Sequence, residues 1–370
     1  MNDSVPLLSV QGLTKHFPVG GFLGRNIGIV RAVDGVDLEI GRGETLGLVG
    51  ESGCGKSTTG RLVLRLIEPT SGQIRFDGID LGALSAAAMR SQRRHLQIVF
   101  QDPYSSLNPR MTVSDILAEP LRIHGIASSS DIGSRVDALL AMVGLPAAHA
   151  RRYPHEFSGG QRQRICIARA LATEPRLIVC DEAVSALDVS VQAQILNLLH
   201  DIQLRFGLSY LFISHDLTVV RHVTDRVAVM YLGRIVESAK TADLFANPGH
   251  PYTRALLSVI PLPVYGRSVK RDVVEGDVPS PMAPPPGCHF HPRCAYAIKR
   301  CTEETPALIQ DSSGRALACH RAAELPDWQG GVMEAAIDPR QERLQARFRL
   351  VTVEAAKTAA NATDQESASK

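Results

Sequence analysis

The segment Gly50-Glu51-Ser52-Gly53-Cys54-Gly55-Lys56-Ser57-Thr58 matches the phosphate-binding pattern G-x-x-x-x-G-K-[ST]. Its glycines let the backbone turn tightly, so that several N–H groups can converge on one anion. We expect Lys56 to supply a positive charge for the β- and γ-phosphates of a nucleotide, and Ser57 to supply a hydroxyl group for Mg²⁺. All nine residues are therefore candidates for nucleotide binding. We call this segment the phosphate loop.

The sequence on either side of the phosphate loop fits the same interpretation. Residues 44–49 form an apolar run typical of a buried strand, and residues 58–66 have the composition of a helix. A helix that begins at the end of the loop adds the positive end of its dipole to the anion site. The pattern predicts an α/β fold with a P-loop core.

Polar side chains follow three further predicted strands: Gln101 after residues 96–100, Asp181 and Glu182 after residues 177–180, and His215 after residues 209–214. Ligands of open parallel sheets bind at the carboxyl ends of the strands, so we expect these side chains to lie near the phosphate loop. Asp181 is a candidate to hold Mg²⁺, and Glu182 to orient or deprotonate the attacking water. Gln101 could reach Mg²⁺ or that water, and His215 could contact the γ-phosphate.

A second glycine-containing turn, Ser158-Gly159-Gly160-Gln161, precedes a predicted helix within residues 102–175, where helical periodicity replaces strand signals. It combines a hydroxyl, exposed backbone N–H groups and a helix N-terminus, which together favour an anion. One chain needs only one phosphate loop. The second turn therefore predicts a head-to-tail dimer in which each helical subdomain closes on a nucleotide held by the other subunit.

These motifs together resemble the ATP-binding subunits of ABC transporters. Six family motifs match in order, namely Walker A (residues 50–58), Q-loop (Gln101), signature (Ser158-Gly159-Gly160-Gln161), Walker B (Asp181-Glu182), D-loop (Ser185-Ala186-Leu187-Asp188) and switch histidine (His215). The resemblance implies ATP and Mg²⁺ as cofactors and adds Asp188 to the nucleotide-binding residues. It also places Phe17 where the family stacks an aromatic ring on adenine, although a Gly-rich excursion at residues 20–24 lengthens the gap to the phosphate loop.

A narrower resemblance is to the dipeptide, oligopeptide and nickel importer group. It is carried by Gln101-Asp102-Pro103-Tyr104-Ser105-Ser106-Leu107-Asn108-Pro109-Arg110, by His250-Pro251-Tyr252-Thr253-Arg254-Ala255-Leu256-Leu257 and by a cysteine-containing segment. Ala183 stands where that group usually has proline. The resemblance implies a second ATPase subunit, two membrane permease subunits and a solute-binding protein as partners. The implied solute is a peptide, with nickel or glutathione as alternatives.

Four cysteines, Cys288, Cys294, Cys301 and Cys319, are spaced C-x5-C-x6-C-x17-C. Four thiolates can enclose Zn²⁺ or a [4Fe–4S] cluster, and this spacing does not choose between them. Four buried, reduced thiols are a further alternative. The importer-group resemblance implies a [4Fe–4S] cluster, and a role in stabilising this segment is the simplest one.

The composition limits the other classes of function. The 370 residues carry a formal net charge of +2 without a long basic run, which argues against nucleic acid as the main partner. An ABC-type ATPase of DNA repair or chromosome maintenance is the alternative of a different class, and a redox sensor built on the cysteines is a third. No apolar stretch reaches the roughly 18 residues that cross a bilayer, and the chain start does not resemble a signal peptide. We expect a peripheral protein at the cytoplasmic face of the cell inner membrane.

Three regions follow from these patterns: a nucleotide-binding domain over residues 1–240, a small cysteine-containing C-terminal domain over residues 241–325, and a partly disordered tail over residues 326–370. Within the first, residues 7–17 read as an edge strand, and a hairpin turn is expected at Asp77-Gly78. We expect the first domain to contain a P-loop core, an antiparallel β subdomain and the helical subdomain of about residues 102–175.

Overall fold

Two β-sheets organise the chain, one antiparallel and one largely parallel. The structure is a computed structural model, and it describes residues 5–20, 26–259 and 276–328. The Gly-rich excursion lies mostly outside these ranges, and so does the predicted tail except for residues 326–328.

The antiparallel sheet is formed by β1 (Leu8–Gly20), β2 (Asn26–Ile40), β4 (Ser71–Phe76) and β5 (Ile79–Asp80), in the order β2-β1-β4-β5. The expectation that residues 7–17 form an edge strand is wrong, because Leu8 faces Ile40 of β2 on one side and Phe76 of β4 on the other. The predicted hairpin turn at Asp77-Gly78 is confirmed, and both residues have positive φ, at 52° and 79°. This sheet is the expected antiparallel β subdomain.

The second sheet contains β3 (Thr45–Val49), β6 (Leu96–Val99), β7 (Leu177–Asp181), β8 (Ser209–Ile213), β9 (Arg226–Tyr231), β10 (Arg234–Lys240), β11 (Ile309–Gln310) and β12 (Ala316–Leu317). Their order is β11-β12-β10-β9-β3-β8-β7-β6, and β9, β3, β8, β7 and β6 run parallel. Every residue of β3, β7 and β8 is buried, as is typical of parallel strands covered on both faces. The carboxyl ends of β3, β8, β7 and β6 therefore meet at one edge.

The helices are α1 (Lys56–Val63), α2 (Ala86–Gln92), α3 (Pro103–Ser106), α4 (Val113–Ile123), α5 (Ile132–Met142), α6 (Gly159–Leu171), α7 (Val189–Phe206), α8 (Leu217–Val223), α9 (Thr241–Ala246), α10 (Pro251–Ser258) and α11 (Lys299–Glu303). Residues 102–175 contain α3 to α6 and no strand, which confirms the helical character predicted there. Gly144, at φ 69°, follows the C-cap residue of α5, the position where glycine commonly ends a helix. No helix of the described ranges is long and apolar enough to cross a membrane.

Side chains on the two faces of the parallel sheet enter two different cores. Along β8, Leu211 and Ile213 pack with the antiparallel sheet and α1, whereas Tyr210 and Phe212 pack with the helical region. This alternation follows from the two-residue period of a strand. The central strands are thus held between the two layers, which fixes the edge where their polar termini meet.

The C-terminal segment of residues 276–328 shares the sheet and the core of the preceding chain. Strand β12 pairs with β10, with Leu317 opposite Glu237. The Phe290 side chain is 2% exposed. Its ring centroid lies 5.2 Å from that of Tyr231 and 5.3 Å from that of Tyr252. The segment is consequently built onto the side of the sheet next to the phosphate loop.

Candidate nucleotide site

The phosphate loop connects β3 to α1, and its backbone requires glycine at two positions. Gly50 and Gly55 have φ values of 152° and 110°, where side chains are disfavoured. A Cβ atom on Gly50 would lie 2.2 Å from the Met230 carbonyl oxygen, and one on Gly55 would lie 2.1 Å from the Ala32 carbonyl oxygen. The loop is thus enclosed by neighbouring backbone, which leaves it little room to relax.

Lys56 and Ser57 begin α1 and lie at the centre of the site. The Lys56 side chain is buried, and its Nζ donates to the carbonyl oxygens of Gly50 at 2.8 Å and Glu51 at 2.9 Å. The α1 N-cap, Gly55, offers no side-chain cap, so the first N–H groups of the helix are available to an anion. Ser57 Oγ donates to Asp181 Oδ1 at 2.7 Å, which brings the two predicted magnesium ligands together.

Glu182 directly follows β7, and the two other predicted catalytic side chains converge on it. Its Oε2 accepts a hydrogen bond from Gln101 Nε2 at 2.8 Å, and its Oε1 lies 3.3 Å from His215 Nδ1. Its backbone has φ 52° and donates to the Ile213 carbonyl oxygen at 3.0 Å. A left-handed backbone is strained for a residue other than glycine, and such strain is often found at functional sites. The arrangement can accept a proton from a water molecule held beside an amide and an imidazole.

The second turn, residues 158–161, lies against the start of α7. Ser158 Oγ accepts from the Gln161 N–H at 3.3 Å, and Asp188 Oδ1 accepts from the Val191 N–H at 2.9 Å, so both residues cap helices. A Cβ atom on Gly160 would lie 2.4 Å from Val191 Cγ1. Within the described part of the chain, no hydrogen bond or ion pair joins this turn to the phosphate loop. The nucleotide-binding role predicted for residues 158–161 and Asp188 remains a prediction.

Phe17 lies on β1 opposite Val30 and is half-buried. Lys15 Nζ is 5.0 Å from the centroid of its ring. No hydrogen bond or ring contact of the described residues joins Phe17 to the phosphate loop. Its predicted stacking on adenine remains a prediction.

The four cysteines line one cavity of about 20 Å³ together with Phe290, His291 and His320. None of the four forms a disulfide. Burial raises the pKa of the Cys288 and Cys294 thiols to about 11, and it also raises the pKa of Cys319. Over residues 5–20, 26–259 and 276–328, no group of three or more His, Cys, Asp or Glu side chains has an arrangement that could hold a metal ion. The structure thus brings the four thiols together without forming a metal-binding geometry.

Two side chains from later in the chain contact the phosphate loop, and no sequence pattern predicts either contact. Arg293 donates from Nη1 and Nη2 to the two carboxylate oxygens of Glu51, at 2.7 Å and 3.0 Å. The Tyr252 hydroxyl accepts a hydrogen bond from the Glu51 N–H at 2.8 Å. Glu51 and Arg293 are 242 positions apart, so no local pattern could have connected them.

Comparisons with known proteins agree with this geometry. The ABC transporter family profile matches residues 33–185, and the profile of the oligopeptide/dipeptide transporter C-terminal region matches residues 236–301. A putative peptide import ATP-binding protein of Brucella ovis is 55% identical over 316 residues, which cover 85% of this chain and 98% of the relative. This chain belongs to the ATP-binding subunits of ABC transporters. As an ABC ATPase it binds and hydrolyses ATP.

Further relatives of this ABC ATPase extend the likeness. The oligopeptide transport ATP-binding protein AppF of Bacillus subtilis is 52% identical over 318 residues, which cover 85% of this chain and 97% of AppF. Among solved structures, the dimeric post-hydrolysis state of the ATP-binding cassette MJ0796 bound to ADP and Pi is 30% identical, with a TM-score of 0.57. That match covers 63% of this chain and 98% of the cassette. The predicted fold class, an α/β P-loop core of the ABC type, is confirmed.

Proposed function

We propose that this ABC ATPase powers the import of peptides or of a related small solute, working at the cytoplasmic face of the inner membrane. The observation that carries the proposal is the convergence of Gln101 and His215 on Glu182, at the sheet edge where Lys56 and Ser57 lie. The names of the relatives from Brucella ovis and Bacillus subtilis support the direction of transport and the peptide solute.

In the proposed site, residues 50–58 enclose the phosphates of ATP, with Phe17 against the adenine. Lys56 Nζ, which now bridges two loop carbonyls, exchanges these for the β- and γ-phosphates. Ser57, Asp181 and Gln101 are the candidates to hold Mg²⁺, directly or through water, because hydroxyl, carboxylate and amide oxygens suit this ion. The ion would neutralise charge that develops on the phosphates.

Hydrolysis is proposed to depend on Glu182. Its carboxylate accepts a proton from, or orients, the water that attacks the γ-phosphate. Gln101 fixes one carboxylate oxygen, and His215 lies beside the other, where its imidazole can also reach the γ-phosphate. The side chain of His215 is 57% exposed, so it can move toward a bound nucleotide.

The complete site is proposed to need two subunits. Among the residues that the structure describes, no hydrogen bond or ion pair joins residues 158–161 or Asp188 to their own phosphate loop. They would meet the nucleotide of a second, identical or related, ATPase. The dimeric MJ0796 cassette, named as bound to ADP and Pi, supports this arrangement. The test is size-exclusion chromatography of Glu182→Gln with saturating Mg·ATP and the membrane subunits present. Its ATPase subunits should pair under these conditions, and a form that stays monomeric would refute the arrangement.

Transport further requires contact with membrane subunits, and the segment after Gln101 is the proposed contact. Tyr104 is 66% exposed, and the centroid of its ring lies 3.7 Å from Cζ of Arg162 on α6. Arg162 is buried, and its Nε donates to the Pro154 carbonyl oxygen at 2.6 Å. A partner that presses on Tyr104 would thereby move the helix that begins at the second turn. Two permease subunits and a solute-binding protein complete the proposed importer.

The transport proposal can be tested with the assembled complex in proteoliposomes. ATP inside the vesicles should drive uptake of labelled di- and oligopeptides supplied with the solute-binding protein. Nickel and glutathione serve as alternative solutes in the same vesicles. Uptake of neither peptide nor alternative solute, by a complex that hydrolyses ATP, would contradict the importer assignment.

We also propose that the four cysteines bind a metal centre that stabilises the C-terminal segment. Their number and type suit Zn²⁺ or an iron–sulfur cluster, and His291 and His320 each already engage a carbonyl oxygen through one ring nitrogen. The family resemblance favours a [4Fe–4S] cluster, with Zn²⁺ as the alternative, and either would require the four thiols to move from the arrangement described above. Metal analysis and a visible spectrum after anaerobic purification distinguish the two. A protein with neither iron nor zinc would refute the metal centre.

The division into domains follows from these roles. We propose that residues 1–240 form the nucleotide-binding domain, and that residues 241–325 form a C-terminal domain packed on it. The support is the position of the two profile matches, over residues 33–185 and 236–301.

A further inference from the structure

Glu51, the second residue of the phosphate loop, is held by the C-terminal part of the chain through both its side chain and its backbone. Its carboxylate accepts two hydrogen bonds from the Arg293 guanidinium, in the bidentate arrangement that gives strong, directional ion pairs. Its N–H donates to the Tyr252 hydroxyl at 2.8 Å. Its carbonyl oxygen accepts from Lys56 Nζ at 2.9 Å. Every polar group of Glu51 is thus engaged.

Arg293 is fixed in place by the segment that carries the four cysteines, residues 288–319, which we call the cysteine segment. Its side chain is 8% exposed, and it ends the short 3-10 helix His291–Arg293, directly before Cys294. The backbone on either side is tied to the cysteines, because His291 N donates to the Cys288 carbonyl oxygen at 2.9 Å and Ala297 N donates to the Cys294 carbonyl oxygen at 3.1 Å. The hydrogen bonds that Arg293 donates to the Glu51 carboxylate, helped by its negative charge, raise the pKa of Arg293, so the guanidinium stays charged. Its position therefore depends on the fold of residues 288–301.

Tyr252 belongs to α10 and is fully buried. Its ring centroid lies 4.7 Å from that of Tyr231 and 5.3 Å from that of Phe290. Phe290 lies between Cys288 and Arg293 in the sequence, so the same aromatic cluster supports both contacts to Glu51. Neither contact involves the Ser57 or Asp181 side chain, which are hydrogen-bonded to each other.

We propose that Arg293 and Tyr252 are positioning residues that hold the phosphate loop in the shape that binds ATP, so that the C-terminal segment sets ATP affinity. The inference rests on the proposed function, because it takes residues 50–58 as the ATP site. The physical reason is preorganisation: a loop that is already ordered loses less conformational entropy when the nucleotide binds. A structural change in the cysteine segment would move Arg293, and Arg293 would in turn alter the phosphate loop through its hydrogen bonds to Glu51.

The experiment measures the dissociation constant of a fluorescent ATP analogue with Mg²⁺ for the full chain. Arg293→Met removes both hydrogen bonds to the carboxylate and should raise the constant at least about fivefold. Arg300→Met is the matched control, because Arg300 lies in the same segment but pairs with Glu304 at the surface, with 59% of its side chain exposed. This control should bind like the wild type.

Tyr252→Phe provides a second variant that keeps the buried ring and removes only the acceptor of the Glu51 N–H. It should raise the dissociation constant about two- to fivefold and increase hydrogen exchange of the residue 50–58 amides. The maximal turnover at saturating ATP should change less than the KM, because the Glu182 site is not touched. The thermal unfolding midpoint of each variant shows that binding is measured on folded protein.

A cysteine variant tests the path from the C-terminal segment. Cys301→Ser should weaken ATP binding in the wild-type background, and it should add little to Arg293→Met, because both act through the same contact. If the double variant raises the dissociation constant by the product of the two single effects, the two changes act independently. That result would exclude a path from Cys301 to the phosphate loop through Arg293.

Lys56→Ala separates failure of this inference from failure of the proposed function. If Lys56→Ala abolishes binding but Arg293→Met and Tyr252→Phe bind like the wild type, the positioning role is wrong and the ATP site stands. If Lys56→Ala binds normally, the ATP site itself is wrong. Equal losses in Arg293→Met and Arg300→Met would also overturn the positioning role.

Discussion

Replacement of Glu182 by glutamine exchanges one carboxylate oxygen for an NH2 group at the point where the proposed chemistry takes place. The amide can still accept a hydrogen bond from Gln101, and glutamine tolerates the backbone at φ 52° about as well as glutamate does. What it loses is the ability to take a proton from water and the negative charge beside His215. The structure therefore predicts that Glu182→Gln loses ATP turnover but keeps its affinity for ATP.

The magnitude follows from the role of a general base. Such a group contributes about 10²- to 10⁴-fold to the rate, equivalent to about 2.7–5.4 kcal/mol of activation free energy. We expect the turnover of Glu182→Gln to fall within this range. The affinity for ATP should stay within about threefold of the wild-type value, because Lys56, Ser57 and Asp181 keep their contacts.

Phosphate release by the assembled transporter measures the turnover, and a fluorescent ATP analogue measures the binding. Glu174→Gln is a suitable control, because Glu174 also has a left-handed backbone, at φ 54°, but lies at the surface with 58% of its side chain exposed. It should hydrolyse ATP at the wild-type rate. A Glu182→Gln protein that turns over within threefold of the wild type, or that no longer binds ATP, would refute the reasoning.

Three further outcomes are expected. Gly55→Ala should abolish ATP binding in titrations, because its Cβ would lie 2.1 Å from the Ala32 carbonyl oxygen, and normal affinity would show that the loop relaxes. Asp77→Asn should lower the free energy of unfolding in urea by about 1 kcal/mol or less at pH 7. The hydrogen bond from Arg42 and the charge of Arg176 hold the pKa of Asp77 below its usual value of 3.8. The difference from wild type should therefore shrink as the pH falls below 3.8 and vanish once Asp77 is protonated in the folded protein too, and a difference that persists at that stage would exclude this origin. Cys301→Ser should reduce the bound iron or zinc and lower the thermal unfolding midpoint, and an unchanged metal content would argue against a thiolate ligand at this position.

The nucleotide site was largely predictable from the sequence, because each of its parts is local. A glycine pattern fixes the phosphate loop, and a polar residue directly after an apolar strand marks the carboxyl end of that strand. Since parallel strands bring these ends to one edge, Gln101, Glu182 and His215 could be expected together before their contacts were known.

The parts that the sequence did not predict depend on contacts between distant segments. The alternation of residues in β1 shows which side chains are buried, but not that the strand has neighbours on both sides. The contact of Arg293 with Glu51 has no local signature at either end. The closeness of the four cysteines could be expected from their number, whereas their exact arrangement depends on how residues 288–319 pack against β10 and α10.

The pairing of β12 with β10 also has a consequence for how the protein can be shortened. Without residues 276–328, β10 would present a free row of backbone N–H and C=O groups beside the apolar surface that Phe290 now covers. An edge strand with unpaired backbone groups promotes aggregation between molecules. A truncated form that ends near residue 259 is therefore expected to self-associate, and polar substitutions on β10 would be needed to keep it monodisperse.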